Sequence, residues 1–377
     1  MFYWLFYEKL FHYFSPFRVF QYSTFRTASS SLTAMFLCIG LGPWFIRKLR
    51  QFQIGQYIRE DGPKSHSTKA GTPTMGGLLI VVSIVAPTLL WSNLTNPYIW
   101  VAIFGLVSFG AIGFWDDYTK VRRMRNLGLT ARQKMLLQIA AALIVGFLLL
   151  ALHSQHAYST NVNIPFFKQY NPDLLIDGFL HNRWTYLLAF LPFFAFVAFV
   201  MVGASNSVNL TDGLDGLAIG LMIVASGAMT VLTFVSGNSV LAEYLGLSRL
   251  PGASELTVFC GAMTGASLGF LWYNAHPAQV FMGDVGSLAL GGALAVVAVL
   301  IKQEVLLVFI GGVYVLEALS VILQVGSYKL RKKRIFKMAP VHHHFEALGW
   351  QESKIIVRFW ILGLVLALFA LTTLKLR

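Results

Sequence analysis

Charge is what this sequence has least of. Asp, Glu, Lys and Arg make up 12% of its 377 residues, against about a quarter in ordinary soluble domains. A chain with so little polar surface cannot wrap a core in water, which excludes a soluble globular enzyme. Cysteine is also scarce: Cys38 and Cys260 both lie inside apolar runs, which excludes a disulfide framework and a zinc pattern and leaves them as packing residues. No repeat with a period of about 20–50 residues is present. Acids are rarer than bases, 16 against 29, for a net charge of +13. That balance could point to nucleic acid, but the bases flank apolar runs and no polar domain remains to carry a groove. Anionic lipid headgroups and an anionic substrate are the expected partners, and nucleic acid is not.

Hydrophobic residues, by contrast, make up 56% of the chain, and they are gathered into runs of about 20, the length that crosses a hydrocarbon core of roughly 30 Å. Ten runs stand out, near 24–47, 73–92, 97–115, 133–152, 184–203, 214–235, 255–273, 285–302, 304–325 and 353–374. They predict an all-α integral membrane protein, one polytopic domain over 1–377 with about ten transmembrane helices. The aromatic stretch 1–22 has no small-residue cleavage site after it and is expected to lie on the membrane surface. Between the fourth and fifth runs, residues 153–183 alternate short apolar and polar pieces around Asn171-Pro172-Asp173, a pattern compatible with a small hairpin.

Orientation follows from Lys and Arg, which are retained on the cytoplasmic side. Arg47, Lys48, Arg50, Arg59, Lys64 and Lys69 cluster after the first run, and Lys120, Arg122, Arg123, Arg125, Arg132 and Lys134 after the third. Lys329, Arg331, Lys332, Lys333, Arg334 and Lys337 follow the ninth. With ten spans these three loops share one side, which puts both termini on the other, the periplasmic side.

Five of the acids fall at the cytoplasmic ends of runs. Asp116 and Asp117 close the third, Asp212 and Asp215 open the sixth, and Asp284 opens the eighth. Carboxylates so close to hydrocarbon are costly and ordinarily face a bundle interior or watery cavity, so each is a functional candidate. A pair of acids at a helix C-terminus also opposes the helix dipole and calls for a cation, a metal ion or Lys120. Within Asn206-Ser207-Val208-Asn209-Leu210-Thr211-Asp212-Gly213-Leu214-Asp215, the residues Asn206, Asn209, Asp212 and Asp215 recur every third position and would line up along a helical segment. Helix capping accounts for one of them, not four. The segment from Asn274 through Phe281, Gly283 and Asp284 offers glycines for close backbone approach and a helix N-terminus for an anion.

Two further stretches carry polar candidates. Lys69-Ala70-Gly71-Thr72-Pro73-Thr74-Met75-Gly76-Gly77 opens the second run; the glycine pair reads as helix packing, whereas Lys69 and Thr74 stand where an anionic ligand is favoured. His342, His343 and His344 stand together in the last basic loop. Three successive side chains cannot all reach one ion from a helix or a strand. Hydrogen bonding or proton handling toward phosphate or sugar is therefore preferred to metal ligation, which stays open.

Taken together, the Gly-Thr-Pro-Thr-Met-Gly-Gly run, Asp116-Asp117-Tyr118, Asn209 to Gly216, Phe281-Met282-Gly283-Asp284 and the triple His resemble, nearly end to end, the polyprenyl-phosphate N-acetylhexosamine-1-phosphate transferases, and within them the phospho-N-acetylmuramoyl-pentapeptide transferase branch. The resemblance implies a bacterial inner-membrane enzyme with a site facing the cytoplasm. It would move phospho-N-acetylmuramoyl-pentapeptide from its UDP carrier to undecaprenyl phosphate, giving lipid I and UMP with Mg2+. It also implies roles: Asp284 as principal metal ligand, Asp117 supporting metal or substrate, and Asp116 orienting or deprotonating the lipid phosphate. Lys69, Asn209, Asp212, Phe281 and Gly283 would surround the nucleotide, and Lys120, Lys134, Asn206, Asn274, Gln324 and His342 to His344 would lie near phosphates or sugar.

Two other readings compete. A sister enzyme carrying N-acetylglucosamine-1-phosphate would share the acids, though the form of the last loop, Pro340 to Glu346, resembles the muramoyl branch. A transporter or flippase would place charges at the midplane and show inverted repeats; Glu317, inside the ninth run, is the one residue that fits it. Small-residue helix faces allow packing within one chain or between two, so a homodimer stays open.

Overall fold

A computed structural model describes residues 1–52, 71–123, 128–165, 167, 170–180, 186–245, 247 and 249–374. Lys69 lies outside the described residues, and so do Arg59, Lys64 and Arg125. Most of the described residues are helical, in α1 Ser23–Gln51, α2 Gly77–Trp91, α3 Pro97–Arg123, α4 Ala131–Ser154, α5 Leu191–Thr211, α6 Leu217–Gly237, α7 Ala253–Asn274, α8 Gly283–Leu300, α9 Gly312–Arg331 and α10 Glu352–Thr372 and in shorter segments between them. Nine of the described helices are long and apolar enough to cross a membrane.

The exception is α2. Its run begins at Pro73, but Pro73 accepts a hydrogen bond from the Phe281 amide (2.8 Å), and the Gly76 and Gly77 amides donate to the carbonyls of Phe281 and Met282 (2.9 and 2.8 Å). Pro73, Gly76 and Gly77 are thus paired to residues 281 and 282, and the helix that starts at Gly77 has 15 residues, about 22 Å at 1.5 Å each. The ninth run is likewise divided: Glu304–Ile310 forms a separate short helix, and α9 starts after Gly311. The expected hairpin within 153–183 reduces, among the described residues, to a single antiparallel bridge between Asn161 and Asp173.

At the centre stands α8, in which every residue from Val285 to Leu300 is buried, as expected of a helix that is apolar on all sides. It packs most extensively on α3 and α5. Small residues permit the approach: a Cβ on Gly113 would run into the Asp284 carbonyl, and one on Gly77 into the Gly286 backbone. The α3 C-terminus and the α8 N-terminus thereby meet at one end of the bundle. At the other end Arg26, near the start of α1, makes a bidentate pair with Glu255 at the start of α7 (2.6 and 2.7 Å). Glu255 also accepts the Asn93 amide beyond α2 (2.8 Å). Short helical segments Tyr3–Leu10 and Ser15–Gln21 lie beside that end, where Phe2, Phe20 and Phe25 pack on Trp91.

Candidate active site

Three helix ends bring the sequence motifs together. Asp116 and Asp117, in the last turns of α3, are each 3% exposed, and Asp284 opens α8. One oxygen from each of the three lies within 4.8 Å of the other two. Lys120 binds all of them, at 2.6 Å to Asp116, 3.2 Å to Asp117 and 3.0 Å to Asp284. Lys134, from the first turn of α4, reaches the same Asp284 oxygen at 2.9 Å. The other Asp284 oxygen accepts from Asn209 Nδ2 at 2.8 Å. The acids differ in their remaining partners: Asp117 Oδ2 accepts the Val285 amide in the first turn of α8 (3.2 Å), and Asp116 Oδ1 accepts the Leu129 amide (2.7 Å).

A polar ring continues outward. Asn209 also donates to Ser287 (2.8 Å), and Asn206 exchanges hydrogen bonds with the buried Gln138 of α4 (2.8 Å for Nδ2 to Oε1). Thr74 sits beside Gly283, whose φ of +70° suits glycine and whose missing side chain would otherwise press on Thr74 Oγ1 and Asp117 Oδ2. Asp212, just beyond α5, is partly buried; desolvation first, then the charges of Asp284, Asp117 and Asp215, push its carboxyl up to about 8.

Not every expected residue joins this cluster. Asn206, Asn209, Asp212 and Asp215 do not share one face, because α5 stops at Thr211 and the chain turns through Gly213 and Gly216, the latter at φ +79°. Asp215 is turned to the Ala278 amide (3.0 Å) and His276 Nδ1 (3.2 Å), while its own amide donates to Glu352 (3.0 Å). Buried Asn274 braces the same turn, accepting from the Gly216 amide (3.1 Å) and donating to the Val280 carbonyl (2.8 Å). Gln324 holds the last loop, donating to the Phe336 carbonyl and accepting the Ile335 and Phe336 amides, each at 2.9 Å.

The three histidines diverge. His342 is fully buried against Gly213 with Nδ1 3.1 Å from Glu317; His343 pairs with Glu346 (2.6 Å); His344 accepts the Lys337 amide (3.1 Å). Glu317 therefore faces a neighbouring histidine inside the bundle. Gln138, Ser287, His276 and Glu352 were not singled out from the sequence. Gln138 stands one helical turn after Lys134 and Ser287 one turn after Asp284, a spacing that could have flagged both.

Comparison with known proteins turns this geometry into a family assignment. Residues 99–302 match the family model described as glycosyl transferase family 4, and residues 69–81 match phospho-N-acetylmuramoyl-pentapeptide-transferase signature 1. The chain is similar over its whole length to proteins named phospho-N-acetylmuramoyl-pentapeptide-transferase. It is 67% identical to that of Solibacter usitatus and 65% identical to that of Koribacter versatilis, with 100% of both chains covered in each case. It is 54% identical to that of Desulfatibacillum aliphaticivorans over 97% of each chain. The chain belongs to this family. The matched span of the family model runs from α3 to the end of α8, and thus contains all three carboxylates, both lysines and Asn209. The signature covers the strip that pairs with Phe281 and Met282.

Proposed function

We infer that the chain transfers phospho-N-acetylmuramoyl-pentapeptide from UDP-N-acetylmuramoyl-pentapeptide to undecaprenyl phosphate, yielding lipid I and UMP for peptidoglycan synthesis. The observation that carries this reading is a cluster of three carboxylates and two lysines at one end of a membrane bundle, in a chain that matches transferases of that name end to end. An oxygen of the lipid phosphate attacks the sugar-bearing phosphorus, and the bond to UMP breaks. One phosphoanhydride replaces another, so no ATP is consumed.

The donor set suits Mg2+, a hard cation that takes carboxylate and amide oxygens. Asp284 and Asp117 would hold it, and when bound it would neutralise charge on the phosphates. The chain's own groups do the remaining work. Lys120 and Lys134 gather phosphate charge at the carboxylates. Asp116, fixed by the Leu129 amide, orients the lipid phosphate, which is already largely dianionic near neutral pH because its second pKa is about 6. Asn209, Asp212, Phe281, Gly283, Thr74 and Lys69 are assigned to the nucleotide side, and Asn206 and His343 to phosphate or sugar. Asp215, Asn274, Gln324 and His342 are assigned as supports of the loops that carry those groups. The whole chain acts as one domain in the bacterial inner membrane, with residues 1–22 on its surface and the carboxylate end in the cytoplasm.

Purified protein supplied with undecaprenyl phosphate and Mg2+ should release UMP from UDP-N-acetylmuramoyl-pentapeptide and form the lipid diphosphate product. Turnover with UDP-N-acetylglucosamine instead would assign the sister activity, and substrate movement across vesicles without UMP release would assign transport.

A further inference from the structure

The face of α3 opposite Asp117 and Lys120 carries exposed aromatic and basic side chains. Ala111, Phe114, Trp115, Tyr118, Thr119, Arg122 and Arg123 line a groove of about 830 Å3 along its last three turns. Trp115 is 63% exposed and Tyr118 48%, and the Phe114 and Tyr118 rings stack with centroids 5.9 Å apart. Directly beyond them come Arg122 and Arg123, both exposed. Neither is in an ion pair among the described residues, whereas Lys120, one turn before Arg123, is bound to three carboxylates.

We propose that this groove is a selective site for an anionic bilayer phospholipid, its phosphate between Arg122 and Arg123 and an acyl chain along Phe114, Trp115 and Tyr118. The order of chemistry along the helix matches that of a lipid: apolar wall, then aromatic rings at headgroup depth, then guanidinium donors for a phosphate. Its volume lies within the ordinary range for ligand grooves, about 300–1,000 Å3.

Two alternative occupants fit less well. A second copy of the chain would meet this face about an axis normal to the membrane, which sets identical residues at the same depth and brings two arginine pairs together. The lipid phosphate substrate fits less well by direction, since Arg122 lies about 120° or more around α3 from Asp116, Asp117 and Lys120. The lipid would instead steady, from behind, the helix end that presents Asp116, Asp117 and Lys120.

The test uses the full chain in phosphatidylcholine vesicles containing increasing fractions of phosphatidylglycerol brominated on its acyl chains, which quenches nearby tryptophan. Subtracting the signal of Trp115→Phe isolates Trp115. Its half-quenching should come at a mole fraction at least about tenfold lower for brominated phosphatidylglycerol than for brominated phosphatidylcholine, from roughly fivefold per arginine. The preference should vanish in Arg122→Gln/Arg123→Gln, whose side chains are exposed and support no packing. Equal quenching by the two lipids in the wild type overturns the proposal, and so does a preference that survives the double variant. Absence of quenching by either lipid also overturns it, and disulfide formation between two copies carrying Thr119→Cys would then assign the face to a second copy. Fluorescence is independent of turnover, so the lipid site and the transferase reading fail separately.

Discussion

Asp284 is the residue on which the site is centred: two lysines share one of its oxygens and Asn209 holds the other. Asp284→Asn keeps the volume and one oxygen but removes the charge that a cation or a lysine answers. Mg2+-dependent turnover should fall on the order of a hundredfold or more, while thermal unfolding in detergent still shows a folded protein. Near-normal turnover with unchanged Mg2+ dependence would move the metal assignment elsewhere. Asp212 makes a separate prediction through its pH dependence. Its carboxyl is pushed up to about 8 by burial and by the charges of Asp284, Asp117 and Asp215, so the folded state favours the protonated acid. Stability from this group is fully present below the ordinary carboxyl value near 4, and it is lost as pH rises through about 8. Metal-free wild type should therefore melt at a lower temperature at pH 9 than at pH 6 by more than Asp212→Asn does. Equal pH dependence in the two proteins would show that Asp212 ionises normally.

At the scale of elements, the controlling contact is that of α8 with α2 and α3 through glycines. A Cβ on Gly77 would meet the Gly286 backbone, whereas one on Gly40, in α1, has nothing within 4 Å. Gly77→Ala should destabilise by about 1–3 kcal/mol, the usual cost of overpacking a tight contact, and Gly40→Ala should be neutral or slightly stabilising. Matched melting temperatures for the pair would mean that α2 can shift away from α8 freely. The same elements indicate what a sequence reading can reach. Length and hydropathy suffice for α3, α4 and α8, since a run of about 20 apolar residues has few other solutions in a bilayer. They overextend α2 at its start, because the pairing of Pro73, Gly76 and Gly77 with residues 281 and 282 is a tertiary event that hydropathy does not register. The carboxylates were legible because acids at the ends of apolar runs are costly. Asp215 departs from the three-residue period for a reason of scale: the period holds only while the helix continues, and α5 ends at Thr211. Gln324 and Asn274 look like ligand groups in sequence, but each has its amide committed to backbone.

For the molecule as a whole, the two ends of the bundle divide the labour. α10 begins beside the site, where Glu352 accepts the Asp215 amide, and runs to the opposite end, where Phe369 packs on Phe309. α1 begins at that opposite end, with Arg26 on Glu255, and its last turn carries Lys48 and Arg50 back toward the carboxylates. Basic residues also close α3 and α9, so the positive charge and the site share one end, the arrangement that retention of Lys and Arg in the cytoplasm requires. On the proposed function, a nucleotide-linked substrate made inside the cell could reach only a site that faces inward, so the orientation of the bundle tests that function. The native thiols, Cys38 and Cys260, are buried and leave a low background for labelling. Val240→Cys, 72% exposed beyond α6, and Leu330→Cys, 86% exposed at the end of α9, mark the two ends. A membrane-impermeant maleimide applied to intact spheroplasts should label Val240→Cys alone and reach Leu330→Cys only after permeabilisation. The reverse pattern would place the carboxylates outside the cell, beyond the reach of a cytoplasmic UDP-sugar.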